Sequence, residues 1–231
     1  MERSDVKDFM QTRRLKRARE ESLITKRELQ KTRLENFDSG LPANMKFVDD
    51  PYSEVEKTAW QGRMDQGEAR KMLRWMNNPT QYLILRGTVG LGKTVLAVSL
   101  ARAQVRNRGR SARVVSMPEM LHSISFHERG ENPVKDYAAP DILVIDDVGV
   151  VSSGMTDHQH KIVWAIINAR HNSGKMTIIT TNMSSTSTYE GAGLAEMFGE
   201  SAWDRISSGA TVVVMRGESM RQEHRRREYG I

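Results

Sequence analysis

Five short runs of apolar and β-branched residues punctuate the second two-thirds of the chain: Tyr82–Arg86, Arg113–Ser116, Asp141–Asp147, Thr177–Thr181 and Thr211–Met215. Each is too short for a helix and reads as a strand. The run Ile142-Leu143-Val144-Ile145 has no polar alternation, which marks a strand buried on both faces. Helical periodicity fills the gaps. Val95 to Arg106 follows the first run, and Pro118 to Ala139 forms a helix-and-loop excursion after the second. A helix capped by Thr156 or Asp157 carries Ile162, Val163, Ile166 and Ile167 on one side and runs to about His171. Leu194 to Ile206 is helical again. Strands alternating with helices predict an α/β fold with a doubly wound parallel sheet.

The first third reads differently. Residues 10–35 form a charged helical stretch with Leu15, Leu23, Leu29 and Leu34 as sparse apolar points, spaced too irregularly for a long coiled coil. Gly40, Pro42 and Pro51 make 36–53 a linker. From Glu54 to Asn77 the helical pattern returns, broken near Gly62 and Gly67 and stopped by Asn77-Asn78-Pro79. The expected organisation is a basic helical extension over 1–45, a candidate partner-binding segment, and a core domain over 46–231.

Charge sharpens this division. Residues 1–36 hold 11 basic and 7 acidic residues, and 216–231 hold 5 and 3, so the net +6 of the chain lies entirely at its ends. Basic ends suit nucleic acid or an acidic protein face, and equally a solvated helix and tail. Arg102, Arg106, Arg108 and Arg110 cluster where a helix should end, which fits helix-dipole capping. With no cysteine, disulfides and Cys-based zinc sites are excluded. No apolar stretch approaches the ~18 residues of a membrane span, and charge begins at Glu2, so a cytoplasmic protein is expected.

The candidate chemistry sits between the first strand and its helix. Gly87-Thr88-Val89-Gly90-Leu91-Gly92-Lys93-Thr94 reads GxxxxGK[ST] in the strand–turn–helix context that motif needs. Glycines let the backbone approach a polyphosphate and aim successive N–H groups at it, and the helix N-terminus adds positive potential. Lys93 carries a full charge toward the terminal phosphates, and Thr94 offers a hydroxyl to Mg²⁺. Asp146 ends the doubly buried strand, where parallel sheets bind ligands, and is the expected Mg²⁺ partner; Asp147 is placed to orient an attacking water. Asn182 ends the next strand, where an amide can touch a γ-phosphate or position water, or simply suit a turn. Arg205 and Arg221 could stabilise charge on equatorial phosphate oxygens; taken alone, either also fits a surface ion pair.

The order of these blocks resembles the AAA+ helicase loaders of the DnaC type and the related IstB transposition helpers. GTVGLGKT at 87–94, PDILVIDDVG at 140–149, TIITTN at 177–182, FGESAWDRISSG at 198–209 and ESMR at 218–221 carry the resemblance, over roughly residues 80–222. It implies a P-loop AAA+ ATPase core using ATP and Mg²⁺. It also implies that Asn182 is sensor I, that Arg205 acts in trans on a neighbour's ATP, and that Arg221 acts in cis as sensor II. In the family the excursion matching Pro118–Ala139 touches single-stranded DNA, which makes Phe126 a candidate stacking residue; a core Phe fits that position as well. Three departures stand out: Thr88 replaces a common proline, Asp147 replaces a common Glu, and the short N-terminal segment lacks the Cys or His of a zinc site. The shorter carboxylate implies slow, switch-like hydrolysis.

The resemblance implies a head-to-tail assembly through Arg205, held by nucleotide and released by hydrolysis, that places a replicative hexameric helicase on DNA. An alternative is an IstB-type ATPase that assembles on duplex DNA and assists a transposase. A monomeric P-loop kinase is a third reading. The six histidines show no metal spacing, and no G-x-S-x-G nucleophile turn is present.

Overall fold

The computed structural model describes residues 3–128, 130–149, 155–183 and 193–220, together with 222, 226 and 228; side chains are described from Lys16, and those of 17 and 18 are not. Helix α1 spans Arg3–Ser39, longer at both ends than the charged pattern suggested. Helices α2 (Pro51–Trp60) and α3 (Gln66–Asn77) follow, separated at the predicted break. Asp50 and Asp65 cap them, each accepting from a backbone N–H of the first turn.

Five strands build the sheet: β1 (Tyr82–Arg86), β2 (Ala112–Ser116), β3 (Ile142–Val148), β4 (Met176–Thr181) and β5 (Ala210–Val214). All neighbours are parallel, in the order β2-β3-β4-β1-β5. Alternate residues of one strand feed two separate cores, as the period of two requires. Leu83 and Leu85 join Ile142 and Val144 beneath α2, α3 and α4 (Lys93–Arg108). Ile84 joins Leu143 and Ile145 on the other face, under α5 (Met117–Ser125), α6 (Pro133–Ala138) and α7 (Asp157–Asn172). The sheet is therefore covered on both sides, the doubly wound arrangement expected. Thr156 caps α7 reciprocally with Gln159.

Three local readings change. The single helix expected over Leu194–Ile206 is two, α8 (Leu194–Phe198) and α9 (Glu200–Ser208). Gly199 divides them with φ of 78°, a backbone state that glycine adopts without strain. The expected linker is not loose: Phe37 is buried, Leu41, Met45 and Phe47 pack on the core, and Val48 donates to Ser99 Oγ at 2.8 Å. The arginines at the end of α4 do more than cap it. Arg102 holds both oxygens of Asp38 at 2.8 Å and lies 4.5 Å over the Phe47 ring, while Arg106 donates to Asp49 O at 2.7 Å. These contacts fasten the end of α1 and the segment after it to α4. Among the described residues no helix is long and apolar enough to cross a membrane.

Candidate nucleotide site

The loop 87–94 leaves β1 and enters α4, whose first residue is Lys93. Gly87 N–H donates to Thr181 O at 3.1 Å, tying the loop to the end of β4. A Cβ on Gly87 would stand 2.3 Å from the backbone oxygen of Met215, so no side chain fits there. Gly90 and Gly92 have φ of 86° and 89°. Left-handed glycines at both positions turn the backbone into a concave row of N–H groups. Lys93 is 7% exposed, and its Nζ donates to Gly87 O and Thr88 O at 2.8 Å each. The amine thus lies inside the loop, where a phosphate would meet it.

Thr94 Oγ1 donates to Asp146 Oδ1 at 2.9 Å, and Thr180 Oγ1 donates to the same oxygen. Asp146 is 6% exposed, and burial pushes its carboxyl above the usual range. The two hydroxyls pull the other way, and the adjacent Asp147 adds to the rise. A hydroxyl and a carboxylate in contact are hard oxygen donors, which fit Mg²⁺ bound through one carboxylate and substrate phosphates. Among the described residues no group of three or more His, Cys, Asp or Glu gathers into a protein-only metal cage.

Thr180 is the residue the motif reading passed over. It touches both acids, since Asp147 N–H donates to its Oγ1 at 3.0 Å. Asp147 has φ of 54°, the one non-glycine residue with positive φ among those described. The β3–β4 register slips between Ile145 and Val148, so this is a bulge that turns the exposed Asp147 away from its neighbour. Strain of this kind accompanies functional sites. Asn182, exposed at the end of β4, lines a cleft of about 350 Å³ with Gly87, Thr88, Arg216 and Gly217.

The remaining candidates are elsewhere or unplaced. Arg205 lies on α9, half-buried, donating to Ser201 O at 3.2 Å with its guanidinium 5.7 Å from the Trp164 ring centre. Its field reaches Tyr82, whose phenol burial raises to about 12 and the nearby arginines lower. Arg205 lies in the last turn of α9, which leads into Ala210 beside Tyr82, at the opposite end of β1 from the phosphate loop. Phe126 is 73% exposed and caps α5, its ring centre 4.7 Å from that of His122; it is not a core residue. Arg221 lies outside the described residues. Just before it, Met220 N–H donates to Gly90 O at 2.9 Å, so the chain after β5 rests on the phosphate loop.

The fold and this edge define a P-loop nucleotide-binding domain. Residues 19–228 match the IstB-like ATP binding protein family, and the chain belongs to it. It is 28% identical over 156 residues to a putative ATP-binding protein in an insertion sequence of Mycobacterium tuberculosis, covering 66% of this chain and 60% of that protein. An insertion-sequence putative ATP-binding protein of Bacillus thuringiensis is 27% identical over 61% of this chain and 56% of its own. The chain thus spans under two-thirds of the length of these curated relatives. The DnaC helicase loader crystal structure superposes with a TM-score of 0.51 at 24% identity, over 64% of this chain and 87% of that one.

Asp146→Asn separates stability from function. The folded carboxyl has a raised pKa, so the folded state holds its proton to higher pH than the unfolded state. Its stability falls as pH climbs from the ordinary carboxylate value through the raised one, and stays reduced at neutral pH. The amide removes that cost. Nucleotide-free Asp146→Asn should melt higher, by about 1 kcal/mol of stability, while Mg²⁺-dependent turnover falls roughly 100-fold. Thermal melts with and without Mg·ATP and a phosphate-release assay check both signs.

Proposed function

We propose that this chain is a nucleotide-gated oligomer that loads a ring helicase onto DNA. ATP lies along Gly87–Thr94, with Lys93 against the terminal phosphates and Thr94 and Asp146 holding Mg²⁺. When bound, Mg²⁺ neutralises charge shared between the β- and γ-phosphates. Asp147 orients the attacking water, helped by the Thr180 hydroxyl that fixes its backbone, and Asn182 contacts the γ-phosphate. Arg221 acts on the same nucleotide. The observation that carries the assembly is the separation of Arg205 from its own loop: to reach a phosphate it must meet another copy's. Such a contact is head-to-tail and builds rings or open spirals.

The arm formed by α1 supports the loader reading. Its last turns are fastened to the domain, while Leu23, Ile24 and Leu29 are about half exposed, at 50%, 55% and 51%. Apolar positions on a basic helix beyond the domain suit capture of a partner protein. Exposed Phe126 suits stacking on a base of single-stranded DNA. The insertion-sequence relatives favour a second reading, in which the partner is a transposase and the DNA is duplex.

Two experiments test this. Mixing Arg205→Ala with Lys93→Ala protein should recover part of the ATPase activity that each lacks alone; no recovery at any ratio removes the trans role. Affinity capture from the native host with ATP present should recover a hexameric helicase. Recovery of a transposase selects the second reading. Replacing Leu23, Ile24 and Leu29 together by Glu should lose that partner and leave ATP turnover unchanged; retained capture would displace the arm from this role.

A further inference from the structure

Strand β5 is the edge of the sheet, paired on one side only, with β1. Met215 N–H points inward to Arg86 O, so alternate backbone groups, those of 210, 212 and 214, point outward. Val214 N–H is already taken: Glu68 Oε2 accepts from it at 3.0 Å, standing in for a neighbouring strand. No comparable partner meets Val212 among the described residues. Its N–H and C=O open onto a groove of about 750 Å³ between β5 and α3.

The walls of that groove are mostly apolar, with cations set among them. Lys71 and Arg74 come from α3, Asn78 from its C-terminal cap, and Thr211 from the strand. Arg74 is exposed and makes no ion pair among the described residues, while the Lys71 amine is 2.7 Å from Glu68. Trp75 also lines the groove. It is 2% exposed, and its indole N–H is buried without an acceptor.

We propose that this groove docks an extended acidic peptide segment of a partner protein. The segment pairs its backbone with Val212 and sets carboxylates against Arg74 and Lys71. An open strand edge recruits extended chains by main-chain hydrogen bonds, and flanking side chains choose among them. The cations select acidic sequence, and Glu68 limits the pairing to a short stretch by closing the strand at Val214. This surface is separate from the nucleotide loop and from the α1 arm, so its test does not depend on ATP binding.

The probe is a fluorescein-labelled six-residue peptide alternating valine and glutamate, titrated with the full chain and read by anisotropy. Binding with a Kd on the order of 100 µM or tighter is expected. The same peptide with alternate backbone nitrogens methylated should bind at least ~10-fold more weakly, as should the peptide with lysine in place of glutamate. Arg74→Glu should weaken the parent peptide by a similar factor, with an unchanged thermal melt as the control for folding. No binding at 1 mM peptide (a ceiling of roughly −4 kcal/mol) overturns the proposal. Equal binding of the methylated peptide overturns strand pairing. Concentration-dependent dimerisation abolished by Arg74→Glu, without peptide binding, assigns the groove to a second copy of this chain instead.

Discussion

Lys93→Ala should lower ATP affinity and turnover by roughly 100-fold or more, with little change in melting temperature. The amine is 7% exposed and donates to Gly87 O and Thr88 O at 2.8 Å, directed into the loop. A buried ammonium is poised to gain from a phosphate, because the anion brings opposite charge into a site shielded from water. Removing it leaves the backbone N–H row intact but takes away the full charge facing the terminal phosphates. Fluorescent nucleotide binding and steady-state phosphate release read the two effects separately. Wild-type turnover in Lys93→Ala would remove the ATPase assignment of this edge.

Arg170→Ala should be the most destabilising single change outside the two apolar cores. Arg170 is 0% exposed and donates to Thr177 Oγ1 at 3.0 Å, Tyr137 O at 3.1 Å, Pro140 O at 2.8 Å and Met176 O. One guanidinium therefore closes the end of α6, the approach to β3 and the start of β4. Burial lowers its pKa to about 10, which still leaves it charged at neutral pH. The unfolded arginine holds its proton beyond that value, so the cost of burying the charge eases only above pH about 10. The network is thus pH-independent through the neutral range. Truncation abandons several carbonyls and opens a cavity, costing about 3–5 kcal/mol, or a fall of roughly 10 °C in melting temperature. Arg170→Lys, which keeps the charge but not the fork, should fall between. A melt within about 2 °C of wild type for the alanine variant, well under that expected fall, would show the network to be ornamental.

The parts of this protein that local rules specify were legible. The loop 87–94 and the four apolar residues before Asp146 announced themselves because glycine geometry and double-sided burial constrain residue type at each position. Thr180 was harder to see: a threonine in a β-branched strand is ordinary, and only the β3–β4 register brings its hydroxyl to both acids. Asp147 resembled a simple second carboxylate; its positive φ arises from a bulge no residue type signals. Nothing in the sequence distinguishes Arg170 from other basic residues, because its partners lie as far as 33 residues away. Arg102 was read as a cap because its acids, Asp38 and Asp49, lie across a stretch that composition marked as a linker. What was missed in each case is long-range pairing of polar groups, which carries no periodicity.

The joint between Arg102 and Asp38 has a mechanical meaning. It mounts α1 on α4, the same helix whose first turn forms the phosphate loop. Thirty-seven helical residues extend about 55 Å, so α1 works as a pointer pivoted near its own C-terminal end. Each degree of rocking at α4 sweeps the far tip through roughly 1 Å, given that length. A tilt of α4 would therefore be magnified at the far end of α1.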